Sequence, residues 1–272
     1  MELLALPAFV DNYIWMLHNG AQAIVVDPGE AAPVERALDA SSLKLVGILV
    51  THHHGDHVGG IQALLPRLQG PVVGPAHEAI PGRTRAVREG DRLQLLDLEW
   101  QVLDVPGHTA GHVAYFCDSV STATASAYDD APSADPLLFC GDALFSAGCG
   151  RLFDGTHEQL TASLQRLGGL PATTRVCCTH EYTESNLRFA QAVEPSNRDI
   201  GQAVVECNDL RRQHRPTLPS TLDREWRINP FLRGLRTDTS AELFAAAREH
   251  GATSPNPVAV ITAIRQWKNV YQ

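Results

Sequence analysis

Residues 51–60 of the sequence, THHHGDHVGG, place four histidines and an aspartate within six consecutive positions. Burying five such polar side chains together costs several kcal/mol unless they gain a partner. Imidazole nitrogens and carboxylate oxygens are ligands that suit zinc, iron or manganese. In an extended segment alternate side chains share a face, so His52 and His54 are expected to point one way and His53 another. The segment therefore predicts a site for a divalent metal ion.

Three further apolar runs each end in a residue that can bind a metal ion. The run WQVLDVPG ends at His108, LLFCG ends at Asp142, and TRVCCT ends at His180. In an α/β arrangement the carboxyl ends of strands meet at one edge of the sheet, where binding sites are built. These three residues are therefore expected to join the histidine-rich segment.

Together these segments supply seven candidate ligands, which exceeds the three or four protein ligands of one catalytic zinc. We therefore expect two divalent ions, with zinc as the expected metal and iron or manganese as alternatives. The first ion is assigned His52, His54 and His108, the second is assigned Asp56, His57 and His180, and Asp142 is expected to bridge both. Two ions lower the pKa of a shared water from about 15.7 towards 7. Asp56 is expected to orient the resulting bridging hydroxide, which is the predicted nucleophile.

The other histidines and the cysteines are given structural interpretations. His112 is expected to hydrogen-bond within the site, and Asp27 is either a turn residue or a hydrogen-bond acceptor behind the ligands. The remaining six histidines are expected at the surface or in ordinary hydrogen bonds. The six cysteines are interpreted as reduced thiols, most of them buried, with Cys177 and Cys178 as an alternative redox pair.

Apolar runs and capping patterns divide the chain at about residue 181. Residues 1–181 alternate short strands with helices, and residues 182–272 carry helical periodicity only. Helix starts are predicted by capping boxes at Thr156 with Gln159, at Ser196 with Asp199 and at Thr239 with Glu242, and by Asn256 before Pro257. A helix is also predicted in GGIQALLPRL. Residues 119–136 lack periodicity and are expected to form a mobile surface loop or, alternatively, a lid over the site.

Charge and hydrophobicity exclude several classes of partner. The formal net charge of −9 over 272 residues argues against nucleic acid, which requires a basic surface. Residues 182–272 carry 12 basic and 10 acidic residues, so this part is mildly basic and suited to an anionic ligand. No apolar run is long enough to span a membrane, and the N-terminus lacks the features of a signal peptide. A cytoplasmic monomer is expected.

The motif T-H-x-H-x-D-H at residues 51–57, with PGHTAGH, GDALF and THEYT, resembles the metallo-β-lactamase superfamily. Segments outside the predicted metal site resemble one family within it, glyoxalase II or hydroxyacylglutathione hydrolase. These segments are FVDNY (9–13), GCGRLFDGT (148–156), HEYTESNLRFA (180–190), PTLPSTL (216–222), NPFLR (229–233) and NPVAVITAIRQWKN (256–269). The resemblance covers nearly the whole chain.

The resemblance implies an α+β protein with a four-layer αββα metallo-β-lactamase-like sandwich followed by a small all-helical domain. It implies hydrolysis of S-D-lactoylglutathione to D-lactate and glutathione, which is a step of methylglyoxal detoxification. The glutathione contacts that it implies are Arg151, Phe153, Tyr182, Arg233 and Arg236. Arg151 and Arg236 stand where Lys is more frequent in the family, and Phe153 stands where Tyr is common, so one hydroxyl contact is lost.

Several alternative functions remain open at this level. Within the superfamily they are a persulfide dioxygenase-like enzyme with one iron, another thioester or lactone hydrolase, a β-lactamase, and a nuclease, which the acidic net charge disfavours. A non-catalytic glutathione-binding or metal-storage protein is an alternative of a different class.

Overall fold

Two six-stranded β-sheets form the centre of the molecule. The computed structural model describes residues 1–123, 126–129, 131–236, 238 and 240–271. The first sheet contains, in spatial order, β1 (Glu2–Ala8), β2 (Asn12–His18), β3 (Gln22–Val26), β4 (Lys44–Leu49), β5 (Val72–Pro75) and β6 (Arg85–Val87). The second contains β7 (Arg92–Leu95), β8 (Leu98–Asp104), β9 (Val113–Cys117), β10 (Leu137–Gly141), β13 (Arg175–Cys178) and β14 (Ser220–Thr221), and a separate hairpin pairs β11 (Leu144–Phe145) with β12 (Gly148–Cys149).

Helices cover the outer faces of both sheets and make up most of the C-terminal part. They are α1 (Ala31–Ala40), α2 (Gly55–Val58), α3 (Ile61–Leu64), α4 (His157–Gly168), α5 (Thr183–Val193), α6 (Arg198–Arg212), α7 (Leu222–Ile228), α8 (Pro230–Arg233), α9 (Ala241–Glu249) and α10 (Pro257–Val270), with a 3-10 turn at Leu65–Arg67. Within the described residues, no helix has the length and apolar character needed to cross a membrane.

The alternation of side chains along β2 explains how the layers pack. Trp15 and Leu17 belong to the core between the two sheets, together with Trp100 and Phe139 of the second sheet. Ile14 and its alternate neighbours point the opposite way, into the core beneath α1 and α3. Every residue of β2 is buried because both faces of its sheet are covered. The predicted four-layer αββα arrangement is therefore confirmed.

The ends of four strands bring the predicted ligands to one edge of the sandwich. Asp142 follows β10 through Gly141, which has a φ of 49°. A Cβ at Gly141 would lie 2.3 Å from Oγ1 of Thr51, so only glycine fits this turn. The backbone N–H of Tyr13 donates to the carbonyl of Thr179, which joins the two sheets beside the end of β13.

The C-terminal part is helical, as expected, apart from one two-residue strand that joins it to the second sheet. Ser220 and Thr221 form β14, which pairs antiparallel with β13. The buried carboxylate of Glu225 accepts hydrogen bonds from the hydroxyls of Ser146 and Ser220 and from the backbone N–H of Ala147. Burial raises the pKa of Glu225. These contacts tie the helices that follow residue 181 to the strands that carry the predicted ligands.

The ends of the helices confirm one predicted capping box and correct another. Thr156 and Gln159 form the predicted box at α4, and Asn256 caps α10 with Pro257 in the first turn. The cap of α6 is Asn197, one residue beyond the predicted Ser196, because the Asn197 side chain accepts from the backbone N–H groups of Asp199 and Ile200.

Two other helices also differ from expectation. The cap of α9 is Ser240, and the predicted Thr239 lies outside the described residues. The helix predicted in GGIQALLPRL is divided into α3 and the 3-10 turn, which contains Pro66.

The described residues of the segment 119–136 are anchored at the end of the sandwich opposite the predicted site. The segment precedes β10, whose other end leads to Asp142. The guanidinium of Arg175, which is buried, donates to the carbonyls of Val120 and Asp135. The guanidinium of Arg224 lies 3.7 Å from the ring centre of Tyr128. The described part of this segment therefore does not form a lid over the site, and these contacts tie it to the fold.

Candidate metal centre

The first predicted ligand set forms a tight group of imidazoles. Nδ1 of His54 lies 3.1 Å from Nε2 of His52 and 3.0 Å from Nε2 of His108. His52 and His108 are buried, and His54 is partly exposed. The alternation predicted for residues 52–54 is seen, because His53 turns away and its Nδ1 lies 2.9 Å from the carboxylate of Glu78.

The second predicted set lies directly beside the first. Oδ2 of Asp56 is 3.6 Å from Nε2 of His57 and 3.4 Å from Nε2 of His180. Within each of the two sets, the ligand atoms of the three residues lie within 4.8 Å of one another.

Asp142 lies between the two sets. Its Oδ1 is 3.4 Å from Nε2 of His57, and its Oδ2 is 3.4 Å from Nε2 of His180 and 3.5 Å from Nε2 of His108. One carboxylate therefore faces histidines of both sets, which is the position that a bridging ligand requires.

The donor atoms of this cluster fit a cation better than they fit one another. Nε2 of His57 and Oδ1 of Asp142 are buried and have no hydrogen-bond partner among the described residues. Leaving such groups unsatisfied costs about 1–3 kcal/mol each. The three nitrogens of the first set also face one another, although neutral imidazoles cannot all donate. A divalent cation would satisfy both the nitrogens and the carboxylate.

The outward-facing nitrogens of four of the histidines have partners that orient the rings. Nδ1 of His108 lies 2.8 Å from the carbonyl of Arg151, and Nδ1 of His180 lies 2.9 Å from Oδ1 of Asp11. Nδ1 of His57 lies 3.1 Å from Asp27, and Nδ1 of His52 lies 3.1 Å from the hydroxyl of Thr51. These contacts direct each Nε2 towards the cluster. Asp27 also accepts from the N–H and hydroxyl of Thr51, so it acts as an acceptor behind the ligands.

Burial and local charge shift the histidine pKa values of the two sets in opposite directions. Burial and neighbouring histidines lower the pKa of His52 well below its ordinary value, and burial also lowers the pKa of His54 and His108. Burial would lower the pKa of His180 as well, but the carboxylates of Asp142, Asp11 and Asp56 outweigh it and raise that pKa to about 9. The pKa of His57 is also raised, because carboxylates outweigh its burial. Protons therefore compete with a cation more strongly at the second set than at the first.

A cavity of about 570 Å³ opens onto the cluster. Arg151, Phe153 and Tyr182, which are predicted to contact the substrate, line it. The ring of Tyr182 stacks on that of His180 with 4.7 Å between ring centres, and the Phe153 ring lies 4.8 Å from that of His54. The far wall of the cavity includes Ser185, Asn186, Arg188, Lys268 and Tyr271.

The structure does not bring Arg233 and Arg236 to this cavity. The guanidinium of Arg233 makes two hydrogen bonds, of 2.6 and 2.9 Å, to the buried carboxylate of Glu194. Arg236 pairs with Asp238 on the surface. Neither residue lines the cavity, so the expectation that they contact the substrate is corrected. Arg188 and Lys268 supply basic groups in their place.

Sequence reasoning missed several residues that support the cluster. Asp11 orients His180, and the side-chain amide of Asn12 donates to Oδ2 of Asp56 at 3.0 Å. Both lie in the FVDNY segment, whose resemblance to a family was the one available signal. Lys268 lies in the segment 256–269, which carried a similar resemblance, but its charge alone did not distinguish it from a solvated lysine.

Comparison with known proteins supports this description of the fold. Residues 8–123 match the family model described as the metallo-beta-lactamase superfamily. ETHE1 from Myxococcus xanthus has a TM-score of 0.61 and 25% identity, with 98% of this chain and 97% of that chain covered. The BLEG-1 B3 metallo-beta-lactamase, at 21% identity and a TM-score of 0.60 over 85% of this chain and 98% of that one, shares the fold. The fold and its His/Asp cluster thus define a divalent-metal-binding protein of the metallo-β-lactamase superfamily.

The full-length comparisons identify the family within that superfamily. Residues 181–271 match the model described as hydroxyacylglutathione hydrolase C-terminus. The hydroxyacylglutathione hydrolase of Albidiferax ferrireducens is 50% identical over 271 residues, with 100% of both chains covered. The protein of that name from Pseudomonas putida KT2440 is 47% identical, again with 100% of both chains covered. The chain belongs to the hydroxyacylglutathione hydrolase family.

Proposed function

We propose that this protein hydrolyses the thioester bond of S-(2-hydroxyacyl)glutathione, chiefly S-D-lactoylglutathione, to D-lactate and glutathione. The observation that carries this proposal is the cavity, which has the His/Asp cluster on one side and Arg151, Arg188 and Lys268 in its walls. A thioester of glutathione combines a carbonyl for the cluster with carboxylates for these cations. The relatives at 47–50% identity are named hydroxyacylglutathione hydrolase.

We propose that the seven clustered side chains hold two divalent ions, with zinc as the expected metal. His52, His54 and His108 would hold one ion, Asp56, His57 and His180 the other, and Asp142 both. A related structure, TTHA1623 in a di-iron-bound form, is 26% identical over 84% of this chain and 98% of that one with a TM-score of 0.55, which supports a two-metal site and keeps iron as an alternative. When bound, such ions activate a water molecule as a nucleophile and polarise a carbonyl oxygen.

The side chains around the cluster would position the reacting groups. The carboxylate of Asp56 is fixed by Asn12 and is about half-exposed towards the cavity, where it can orient the attacking water. Tyr182 and Phe153 flank the cluster on two sides and would confine the thioester between them. The leaving glutathione thiolate has an ordinary thiol pKa near 8.5, so its departure requires little help from a general acid.

We further propose that the protein acts in the cytoplasm as a monomer, on a small-molecule substrate. One chain supplies both the cluster and the cations of the cavity, which supports a monomer. The net charge of −9 supports the proposal that nucleic acid is not a partner. Residues 1–181 would form the catalytic domain and residues 182–272 the substrate-binding domain.

The proposed activity is tested by following the loss of thioester absorbance of S-D-lactoylglutathione. Turnover is expected with the metal-loaded protein, and it should be lost with chelator and restored by Zn²⁺. A lactoyl thioester of N-acetylcysteamine, which lacks the carboxylates of glutathione, is the matched control and should react with a kcat/KM lower by about tenfold or more. Equal reaction of both thioesters would contradict glutathione recognition. Oxygen uptake with glutathione persulfide, without hydrolysis, would favour the dioxygenase alternative.

Metal binding is expected to depend on pH differently at the two sets of ligands. In the metal-free protein His180 stays protonated below about pH 9, so an ion binding there must displace a proton. Affinity at this set should therefore fall as the pH is lowered from 9 to 6, whereas the first set, with lowered pKa values, should change little. Calorimetric Zn²⁺ titrations in buffers of different ionisation enthalpy measure the protons released. Release that persists unchanged in His180→Asn would contradict the assignment.

A further inference from the structure

Glu78 is a buried carboxylate that the proposed reaction does not use. It lies in the turn between β5 and β6, and its side chain is 4% exposed. Both of its oxygens are occupied: the hydroxyl of Thr109 donates to Oε1, and Nδ1 of His53 lies 2.9 Å from Oε2. A buried carboxylate is costly unless such partners are present. Since both partners come from segments that carry predicted metal ligands, Glu78 joins those segments.

The two partners of Glu78 flank the whole first ligand set. His53 stands between His52 and His54, and Thr109 directly follows His108. One carboxylate therefore fastens the two loops that supply all three nitrogens of that set.

The second set is held by residues other than Glu78. Asp27 contacts His57, Asn12 holds Asp56, and Asp11 orients His180. Disturbing Glu78 should consequently affect one set and leave the other in place.

The turn that carries Glu78 is itself held firmly. The guanidinium of Arg83 donates to the carbonyl of Glu78 at 2.7 Å and also to the carbonyl of Pro75. Gly111, close to Thr109 in the sequence, leaves room for the carboxylate, because a Cβ there would lie 2.6 Å from Cγ of Glu78. The side chain is thus fixed from the backbone outward, as a positioning group must be.

We propose that Glu78 is a positioning residue that sets the arrangement of His52, His54 and His108 and so the affinity of the first metal ion. This inference rests on the proposed two-metal site. Glutamine at position 78 keeps the shape but replaces one charged acceptor oxygen with a neutral N–H₂ group, so one of the two present contacts cannot form as it stands. Loss of a supporting contact behind metal ligands typically lowers metal affinity about 10- to 100-fold. Glu78→Gln should therefore weaken one of the two ions about tenfold or more.

The test measures Zn²⁺ retained per chain against graded chelator concentrations. Glu78→Gln should release one ion at a chelator activity about tenfold lower than that needed for the wild type. The other ion should be released at the same chelator activity as in the wild type. Thr109→Val, which removes one hydrogen bond without changing charge, should shift the same ion. Glu194→Gln alters a buried carboxylate remote from the cluster and should shift neither. Melting temperatures and circular dichroism show whether each variant is folded, and Thr109→Val carries the test if Glu78→Gln is not.

A second background shows which ion is affected. His54→Ala removes a ligand of the first set, so adding Glu78→Gln to it should not weaken the ion that remains. In His180→Ala, which spares the first set, Glu78→Gln should still weaken the remaining ion. An equal effect in both backgrounds, or no effect of Glu78→Gln and Thr109→Val in the wild type, would overturn the inference. If the wild-type chain binds only one ion, the two-metal proposal fails. The role of Glu78 is then tested separately: it stands if Glu78→Gln weakens that ion and His54→Ala removes the same ion.

Discussion

Asp142→Ala is expected to abolish thioester hydrolysis and to release metal from both sets of ligands. The carboxylate faces His57, His108 and His180 at 3.4–3.5 Å, so its loss would leave the two proposed ions without a shared ligand. The proposed ions would supply both the nucleophile and the stabilisation of the developing oxyanion. Since loss of one oxyanion-stabilising donor alone costs about 10²–10³-fold, kcat/KM should fall by more than about 10³-fold. Stopped assays with S-D-lactoylglutathione and metal analysis of the purified variant measure both effects.

The matched control for this change is Asp209→Ala. Asp209 is a carboxylate on α6 that pairs with Arg212, away from the cavity, and its replacement should alter neither metal content nor turnover. Asp142→Ala that retained two ions per chain would contradict the bridging role. A variant that lost metal and still turned over substrate would contradict the metal-dependent reaction as a whole.

Lys268→Ala is expected to raise KM about 10- to 100-fold while kcat changes little. Lys268 lies in the cavity wall with its ammonium 4.9 Å from the ring centre of Phe189, and among the described residues it forms no ion pair with a carboxylate. The ammonium donates one hydrogen bond, of 3.4 Å, to the carbonyl of Ser185, which leaves further N–H groups for a carboxylate of the substrate. A hydrogen bond to a charged group contributes about 1.5–3 kcal/mol. Binding contacts remote from the reacting carbonyl act equally on ground and transition states, so the effect should fall on KM.

The pH profile separates this role from a structural one. Burial, together with the neighbouring charge of Arg265, lowers the pKa of Lys268 to about 8. Because the lysine loses its charge above that pH, kcat/KM of the wild type should decline as the pH rises through 8. Lys268→Arg should keep its charge and remove this decline. Arg236→Ala, on the surface, is the control and should leave KM unchanged. A lower kcat with constant KM in Lys268→Ala would contradict substrate binding by this residue.

The positions of the seven clustered residues were accessible from the sequence because each follows an apolar strand. Strand ends meet at an edge whatever the details of packing, so His108, Asp142 and His180 could be expected beside the segment 51–57. The residues behind them were not accessible in this way. Asp11 and Glu78 meet their histidines only through the pairing of distant strands and turns, and a single acidic residue in a sequence does not reveal such a partner.

The arginines that the sequence predicted to bind substrate show the opposite limitation. Arg233 has the charge expected of a carboxylate-binding residue, but Glu194, 39 positions earlier, already binds it. The predicted cap of α6 was wrong by one residue. Ser196 and Asn197 are both good helix caps, and the local sequence cannot choose between adjacent positions. For Arg233 the deciding contact is with a residue distant in the sequence, which no local sequence pattern reveals.

The two-residue strand Ser220–Thr221 has a consequence for how this protein can be divided or recombined. It borders β13, so a chain shortened to its first 181 residues would leave the backbone groups of Arg175 and Val176 unpaired on an apolar margin. Open margins of this kind invite association between copies and precipitation. Chimeras that exchange the C-terminal region between relatives should therefore carry this strand and its partner together.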